Sequence, residues 1–223
     1  MEKEVMIVKY DLVIFDMDGT VLDTLEDLLG AMNYALARQQ LGSRTLDEMR
    51  SYVGNGLYMM AVRACGVGAP MVQVDAVFND FKAWYSEHLN VKTHPYEGIT
   101  ALLKRMKARG IKAGICSNKF DPGAKALAQA HFGDLIDLTV GESEQVPKKP
   151  DPASARLILS QLNARPERTL YVGDSAVDVQ TAKAAQLELA AVSWGFASAQ
   201  SLRQAGAKRI FDTVNALEEY IFR

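Results

Sequence analysis

The sequence predicts an α/β protein: a doubly wound, mainly parallel sheet with a Rossmann-like core and a small inserted helical cap domain. In the second half of the chain, short apolar segments alternate with helix-like segments, which is typical of a parallel sheet with helices on both faces. A long helical stretch follows the first predicted strand and interrupts that alternation. We therefore expect an α/β core over residues 1–22 and 95–223 and the helical cap over residues 23–94.

Short apolar segments are the predicted strands. Leu12 to Phe15 is continuously apolar and rich in β-forming residues, which indicates a strand that is covered on both faces. The other candidates are residues 111–116, 136–140, 169–173, 187–193 and 210–211, with the weaker patterns at 136–140 and 210–211.

The predicted helices have recognisable first turns. Thr24 and Asp27 resemble a capping box ahead of a helix with apolar residues at helical spacing. The pairs at 121–122 and 151–152 are both Asp-Pro, which combines a capping acid with proline at the first helical position. Further helical patterns run over residues 46–52, 57–65 and 71–89, and glycines separate them.

Composition narrows the possible environment and partners. The 223 residues are 48% hydrophobic, and 27 acidic residues nearly balance 25 basic ones, so no nucleic acid or membrane partner is expected. No signal peptide and no apolar run of membrane-spanning length is recognised. With only Cys65 and Cys116, far apart, a reduced compartment is expected. We expect a cytoplasmic monomer or homodimer.

Polar residues gather where the predicted strands end. Because the carboxyl ends of parallel strands meet at one edge of the sheet, these residues are expected to converge there. The residues in question are Asp16, Asp18, Ser117, Asn118, Lys148, Lys149, Asp174 and Asp178.

This set of residue types suits phosphoryl transfer. Asp16 would attack phosphorus, and Asp18 would protonate the leaving alcohol and then activate water. Crowded carboxylates need a counter-charge, for which Mg²⁺ is the natural ion, and a lysine would offset charge on the substrate. Ser117 and the backbone N–H groups around Gly19 and Asn118 would bind phosphate oxygens, and Gly19 would let the chain turn closely.

Four ordered motifs carry a family resemblance. They are "DMDGT" at 16–20, Ser117 in "CSNK", Lys149 before Pro150 in "KKPDP", and Gly173-Asp174 followed by Asp178. With these motifs the chain resembles the haloacid dehalogenase-like hydrolases, especially the branch that includes phosphoglycolate phosphatases.

The resemblance implies a ligand set and a substrate class. Mg²⁺ would be held by the Asp16 side chain, the Asp18 main-chain carbonyl and Asp174, with Asp178 supporting them. Lys149 is favoured as the catalytic and substrate-binding lysine, and Lys148 stays open. A small phosphorylated metabolite is the expected partner, with 2-phosphoglycolate as the best single guess.

The resemblance also concerns two local features. The inserted helices would be a cap that closes over the site, and residues 54–57, including Asn55, would contact the leaving group. Gln186 stands where relatives commonly have glycine, which leaves the form of the local turn open but does not affect the chemistry.

Other functions of the same or a similar fold stay open. A sugar-phosphate mutase, a pyrophosphatase and a dehalogenase share the fold, although a dehalogenase needs neither the second acid nor a metal. A phospho-accepting signalling module is the alternative from another class, but receiver domains are much shorter and lack the helical insertion.

Overall fold

The structure, a computed structural model, describes residues 9–54 and 56–223. Within those ranges, the strands are β1 (Leu12–Phe15), β2 (Leu22–Asp23), β3 (His94–Pro95), β4 (Lys112–Phe120), β5 (Leu138–Glu142), β6 (Thr169–Gly173), β7 (Glu188–Val192) and β8 (Ile210–Phe211). The α-helices are α1 (Leu25–Arg38), α2 (Leu46–Tyr52), α3 (Leu57–Cys65), α4 (Met71–His88), α5 (Ile99–Ala108), α6 (Asp121–Phe132), α7 (Ala153–Gln161), α8 (Ala176–Ala185), α9 (Ala199–Gln204) and α10 (Val214–Ile221).

A six-stranded parallel sheet has the order β5-β4-β1-β6-β7-β8. Successive side chains of β1 point to opposite faces: Val13 and Phe15 join a cluster with α5, α6 and α10, whereas Leu12 and Ile14 join a cluster with α7 and α8. Both faces are therefore covered by helices, and the predicted fold class is confirmed. The direction of winding reverses at β1, which is where such sheets bind ligands.

Helices α1 to α4 form a helical block between β2 and β3. The block has its own apolar cluster, which includes Met32, Met49, Met60 and Phe81, all fully or almost fully buried. The chain leaves the sheet through β2 and returns through β3, and these two short strands pair antiparallel. The division of the chain at residues 22/23 and 94/95 stays a prediction.

Strand β4 is longer than predicted. The apolar pattern ends at Cys116, but the extended backbone continues to Phe120, after a register shift against β5. Ser117 therefore lies within the irregular part of β4 and does not follow its end. Such irregularities redirect side chains and occur often beside active sites.

Helix α7 begins one residue later than predicted, with Pro152 and not Asp151 as its N-cap. The side-chain caps predicted for α1 and α6 are also wrong. The side chain of Thr24 does not cap α1, because its hydroxyl donates to Asp18 at 2.6 Å, and Asp27 accepts from the returning chain at residues 91–93. Asp121 is the first residue of α6, with Phe120 as the N-cap, and its carboxylate accepts from the N–H of Gly141. For α1 and α6, a tertiary partner replaces the local one.

The turn after α8 keeps a left-handed residue although no glycine is present. Gln186 ends the helix with φ of 60°. The form of the turn, which the sequence left open, is the usual one: glutamine adopts the conformation for which glycine is common.

None of the helices within residues 9–54 and 56–223 has the length and apolar character that crossing a bilayer requires.

Candidate active site

The carboxyl ends of β1, β4 and β6 meet beside the helical block and enclose a cavity of about 400 Å³. A volume of this size is usual for small-molecule sites. The strands and the loops after them contribute Asp16, Asp18, Ser117, Asn118, Lys119, Lys149 and Asp174 to its wall, and the helical block contributes Leu28, Arg50, Leu57, Met60 and Arg63.

Asp16 is fixed at the end of β1. Its backbone N–H continues the sheet by donating to the carbonyl of Val172 in β6, and its side chain is 7% exposed. One carboxylate oxygen accepts from the N–H of Met17 at 2.7 Å and lies 2.7 Å from the ammonium of Lys149. The other oxygen has no hydrogen bond to a described residue, so it is available to a ligand in the cavity.

Asp16, Asp174 and Asp178 form an acid cluster, in which one carboxylate oxygen from each lies within 4.8 Å of the others. All three are buried. Burial, together with repulsion from Asp178 and Asp174, raises the pKa of Asp16 well above its ordinary value. Burial and Asp178 likewise raise the pKa of Asp174 to about 7.

A divalent cation fits this acid cluster. Three buried carboxylates are accompanied by a single ammonium, that of Lys149, so the ionised cluster carries excess negative charge. The donor atoms are carboxylate oxygens, which are the ligands that hard cations prefer. The raised pKa values of Asp16 and Asp174 express the same deficit of positive charge.

Both carboxylate oxygens of Asp178 accept hydrogen bonds from neighbouring residues. It forms a capping box with Ser175 at the start of α8, where one carboxylate oxygen accepts from the N–H and the hydroxyl of Ser175. The other oxygen accepts from Lys149 at 2.7 Å and from the hydroxyl of Tyr171 at 3.1 Å. This carboxylate therefore orients Lys149 and supports the cluster from behind.

The two adjacent lysines have different surroundings. Lys149 is 4% exposed and its ammonium lies between Asp16 and Asp178. Lys148 is exposed and lies beside Gly56 of the helical block. A methyl group added at Gly56 would be 3.7 Å from the Lys148 ammonium. Only Lys149 is brought to the acid cluster.

Asp18 lies in a setting different from that of Asp16. It is half-buried, and one oxygen accepts from the hydroxyl of Thr24 at 2.6 Å and lies 3.2 Å from the ammonium of Lys119. Lys119 has no exposed side-chain surface and also contacts the hydroxyl of Tyr85, in α4 of the helical block, at 2.5 Å. Burial acts to lower the pKa of Lys119, but Asp18 and Tyr85 outweigh it and raise that pKa, so this lysine is charged.

Lys119 is a residue of the cavity wall that was not predicted from the sequence, as are Arg50 and Arg63. Its signal was present in "CSNK", because Ser117 and Lys119 are two residues apart in an extended segment and so share a face of β4. The apolar pattern stops at Cys116, and for that reason the strand was not followed to this position.

Ser117 and Asn118 are both in the cavity wall, with different tasks for their side chains. The Ser117 hydroxyl accepts from the N–H of Lys119 at 3.1 Å and can donate to a ligand. Asn118 is occupied by the main chain of Lys149: its amide oxygen accepts from the N–H at 2.6 Å and its amide nitrogen donates to the carbonyl at 3.2 Å. The Asn118 side chain thereby sets the position of Lys149.

Gly19 and Gly195 leave no space for a side chain beside Asp174. Gly19 has φ of 87°, and a methyl group there would lie 2.4 Å from a carboxylate oxygen of Asp174. A methyl group at Gly195 would lie 2.1 Å from the carbonyl oxygen of Gly19. Close packing of main chain against this carboxylate therefore requires glycine at both positions.

The loop before α3 borders the cavity from the helical block. Gly54, Gly56 and Leu57 are among the residues of the wall, and Asn55 lies outside the described residues. The expectation that residues 54–57 contact a leaving group stays a prediction.

Comparisons with known proteins agree with this geometry. The model of the family described as haloacid dehalogenase-like hydrolase matches residues 13–192. The chain is 34% identical over 217 residues to a phosphoglycolate phosphatase of Rhodospirillum rubrum, which covers 94% of this chain and 90% of the relative. It is 31% identical over 185 residues to an N-acetylmuramic acid 6-phosphate phosphatase of Pseudomonas aeruginosa, with 82% of each chain covered.

A solved structure is similar over nearly the whole length. A protein from Lactobacillus delbrueckii subsp. bulgaricus, which carries a provisional phosphoglycolate phosphatase name, superposes with a TM-score of 0.92 at 31% identity. The match covers 95% of this chain and 98% of that one.

Proposed function

We propose that this chain, which belongs to the haloacid dehalogenase-like hydrolase family and is a phosphoric monoester hydrolase, acts on 2-phosphoglycolate or a closely similar small phosphate ester with the help of Mg²⁺. The resemblance drawn from the four motifs is thus confirmed at the level of the family. The observation that carries the proposal is the placement of Asp16 between the free space of the cavity and the ammonium of Lys149. A cytoplasmic location and a monomer or homodimer stay predictions.

Asp16 is the proposed nucleophile. The oxygen that lacks a protein partner attacks phosphorus and forms an aspartyl-phosphate, while the leaving alcohol departs from the opposite side. The oxygen bound by Met17 and Lys149 stays fixed, so the carboxylate presents one oxygen in one orientation.

Asp18 is the proposed acid and base. It protonates the leaving alcohol in the first step and takes a proton from water in the second, when water attacks the aspartyl-phosphate. The two acids can play different parts because Asp16 contacts Lys149 and the acid cluster, whereas Asp18 contacts Thr24 and Lys119.

Mg²⁺ and Lys149 are proposed to stabilise the negative charge of the phosphoryl group. Asp16, Asp174 and the main-chain carbonyl of Asp18 would hold Mg²⁺, with Asp178 behind them, and the ion would supply positive charge to the phosphoryl oxygens. Lys149 offsets charge from the other side, and the Ser117 hydroxyl with the N–H groups around Gly19 and Asn118 bind phosphoryl oxygens.

The substitution Asp16→Asn tests this assignment. Removal of the nucleophile should lower kcat for 2-phosphoglycolate with Mg²⁺ by at least about a thousandfold, while the protein stays folded. Asp212→Asn removes one exposed acid far from the cavity and should leave kcat unchanged. Chelation of divalent ions should abolish the activity of the unmodified protein, and added Mg²⁺ should restore it. Full hydrolysis by Asp16→Asn would contradict the assignment of the nucleophile. Activity that survives chelation would contradict the role of Mg²⁺ and favour the dehalogenase alternative.

A sugar phosphate is the second candidate substrate. The Pseudomonas aeruginosa relative is a phosphatase of a sugar 6-phosphate, and its identity to this chain is nearly that of the phosphoglycolate phosphatase of Rhodospirillum rubrum. Comparison of kcat/KM for 2-phosphoglycolate and N-acetylmuramic acid 6-phosphate separates the two. A requirement for a sugar bisphosphate with transfer of phosphate between positions would indicate the mutase instead.

A further inference from the structure

We infer that Arg50 and Arg63, on the helical-block side of the cavity, form a subsite for a second negatively charged oxyanion of the substrate, carried by the leaving group. This inference rests on the proposed phosphatase function and concerns the part of the substrate that does not react. The oxyanion would be a carboxylate or a second phosphate, both of which an arginine binds through two parallel N–H donors.

The charges of the cavity wall single out these two residues. Four cations line the cavity. Lys149 is paired with the acid cluster and Lys119 with Asp18. Across residues 9–54 and 56–223, neither Arg50 nor Arg63 forms an ion pair with a carboxylate. They are the cationic groups of the wall whose charge the described protein does not neutralise.

Each guanidinium is held in place by a single main-chain carbonyl. Arg50 in α2 donates through Nη1 to the carbonyl of Gly195 at 3.2 Å, and Arg63 in α3 donates through Nη1 to the carbonyl of Tyr52 at 2.7 Å. Both side chains are half-buried. A guanidinium with one nitrogen anchored keeps further N–H donors for a ligand and loses less freedom when the ligand binds.

The anchors also locate the subsite relative to the reacting end. Gly195 packs against Gly19 and Asp174, so Arg50 borders the acid cluster. Arg63 lies one helical turn beyond Met60, on the side of the cavity that the helical block lines with apolar residues. A small ester whose phosphoryl group is at Asp16 can therefore direct its remaining charged group toward the two arginines.

The subsite would select for substrates with a charged leaving group, because an uncharged leaving group gives the two arginines no anion to bind. A phosphate ester of the same size with an uncharged leaving group would fill the cavity but give the guanidinium groups no second anion, and partly desolvated charges without a partner are unfavourable. In 2-phosphoglycolate the carboxylate is attached to the carbon that bears the ester oxygen, so this molecule meets the requirement. A bisphosphate meets it through its second phosphate.

Two pairs of esters test the subsite and distinguish the two oxyanions. The carboxylate pair is 2-phosphoglycolate with 2-hydroxyethyl phosphate, and the phosphate pair is glucose 1,6-bisphosphate with glucose 6-phosphate. With Mg²⁺, the unmodified protein should prefer by kcat/KM the member of one pair that carries a second anionic group, and the pair concerned identifies the oxyanion. Arg50→Gln and Arg63→Gln should each lower kcat/KM for that member by about tenfold to a hundredfold and leave its partner ester within about threefold.

Two further variants are controls for misfolding and for effects that are not specific to the subsite. Arg38→Gln removes an arginine of the helical block that is paired with Asp80 and does not line the cavity. This variant should therefore keep the substrate preference of the unmodified protein. Arg63→Lys keeps the charge and can still reach the Tyr52 carbonyl, so it should retain more of the preference than Arg63→Gln. Unchanged turnover of the ester that lacks the second anionic group shows that the fold and the chemistry are intact.

The outcomes separate this inference from the proposed function. If either glutamine variant lowers kcat/KM equally for both members of the preferred pair, or if the unmodified protein hydrolyses both members of each pair equally well, the subsite is wrong and the phosphatase proposal stands. If the unmodified protein hydrolyses none of the four esters with Mg²⁺, the proposed function itself fails.

Discussion

At the scale of single residues, the surroundings of Asp18 are decided by Lys119 and Thr24, neither of which was predicted as a site residue. The ammonium of Lys119 is 3.2 Å from Asp18 and the hydroxyl of Thr24 donates to the same oxygen at 2.6 Å. Both contacts fix the side chain of the proposed acid and base, and Tyr85 in turn fixes Lys119. A catalytic carboxylate with one fixed orientation meets the leaving group more often in a productive geometry.

Lys119→Met should therefore lower kcat for 2-phosphoglycolate by about tenfold to a hundredfold, with a smaller change in KM, because Asp18 loses a fixed partner. Tyr85→Phe removes only the support of Lys119 and should have a smaller effect. The double variant should be no worse than Lys119→Met alone, since both changes act through one contact.

The control for this prediction is Lys125→Met, which removes an exposed lysine that pairs with Asp121 along α6. Its kcat should be unchanged. Normal turnover by Lys119→Met, measured in steady state at saturating substrate, would show that Lys119 does not act through Asp18.

At the scale of elements, the connection between the helical block and the sheet depends on one carboxylate of α1. Asp27 is 7% exposed and accepts from the N–H groups of Val91, Lys92 and Thr93 and from the hydroxyl of Thr93. The chain that returns from α4 to β3 is thereby tied to the first helix after β2.

Asp27→Asn should lower the free energy of unfolding by about 2–3 kcal/mol, because an amide cannot accept from all of these donors and leaves buried N–H groups unpaired. The neighbouring Glu26 is exposed and forms one ion pair with Lys92. Glu26→Gln should therefore cost no more than about 0.5 kcal/mol. Urea unfolding of both variants measures the difference, and equal midpoints would refute the role of Asp27.

The elements also show where sequence patterns succeed and where they do not. β1 and β6 were predicted with their observed bounds because a short apolar run between polar residues is a local signal. Thr24 and Asp27 were assigned to a capping box, whereas Thr24 bonds to Asp18 ahead of the helix and Asp27 bonds to the distant segment 91–93. Local spacing cannot reveal such partners, and it equally failed to reveal that β4 runs on to Phe120.

At the scale of the whole molecule, we expect the acid cluster to couple folding to pH and to the binding of the proposed Mg²⁺. The folded protein raises the pKa of Asp174 from its ordinary value of 3.8 to about 7, first through burial and then through Asp178. A carboxyl group with a raised pKa in the folded state holds its proton more tightly there than in the unfolded state. Its stabilising contribution is therefore present at low pH and is lost as the pH rises from about 4 to about 7.

Without divalent ions, Asp174→Asn should become progressively more stable than the unmodified protein across that pH range, by up to about 1.4 kcal/mol per pH unit. The amide stays neutral and escapes the penalty that the buried carboxylate incurs. Thermal or urea unfolding at several pH values measures the difference, and Asp212→Asn is the control with an exposed acid.

Added Mg²⁺ at pH 8 should reverse this order, because an ion bound to the folded state stabilises the unmodified protein and has less to bind in the variant. A difference between the two proteins that does not change with pH, or equal stabilisation of both by Mg²⁺, would contradict the placement of the ion at Asp174.

The overall architecture and most of the cavity's sheet side were predictable because parallel strands bring their ends to one edge, so that order along the chain becomes proximity in space. The acids and Lys149 are therefore brought together as expected. The contribution of the helical block was not predictable in the same way. Helix packing brings Arg50, Arg63 and Tyr85 to the site. No sequence motif in the chain predicts how those helices pack against the sheet.

The pairing of β2 with β3 places the exit and the return of the chain side by side, with Leu22 opposite Pro95. Any polypeptide whose two ends are close together could be spliced between these points without altering the order of the six parallel strands. Evolution can accordingly exchange the helices between these two strands, and a protein engineer can attempt the same graft. The replacement must again supply the contacts that Thr24 and Tyr85 make with Asp18 and Lys119.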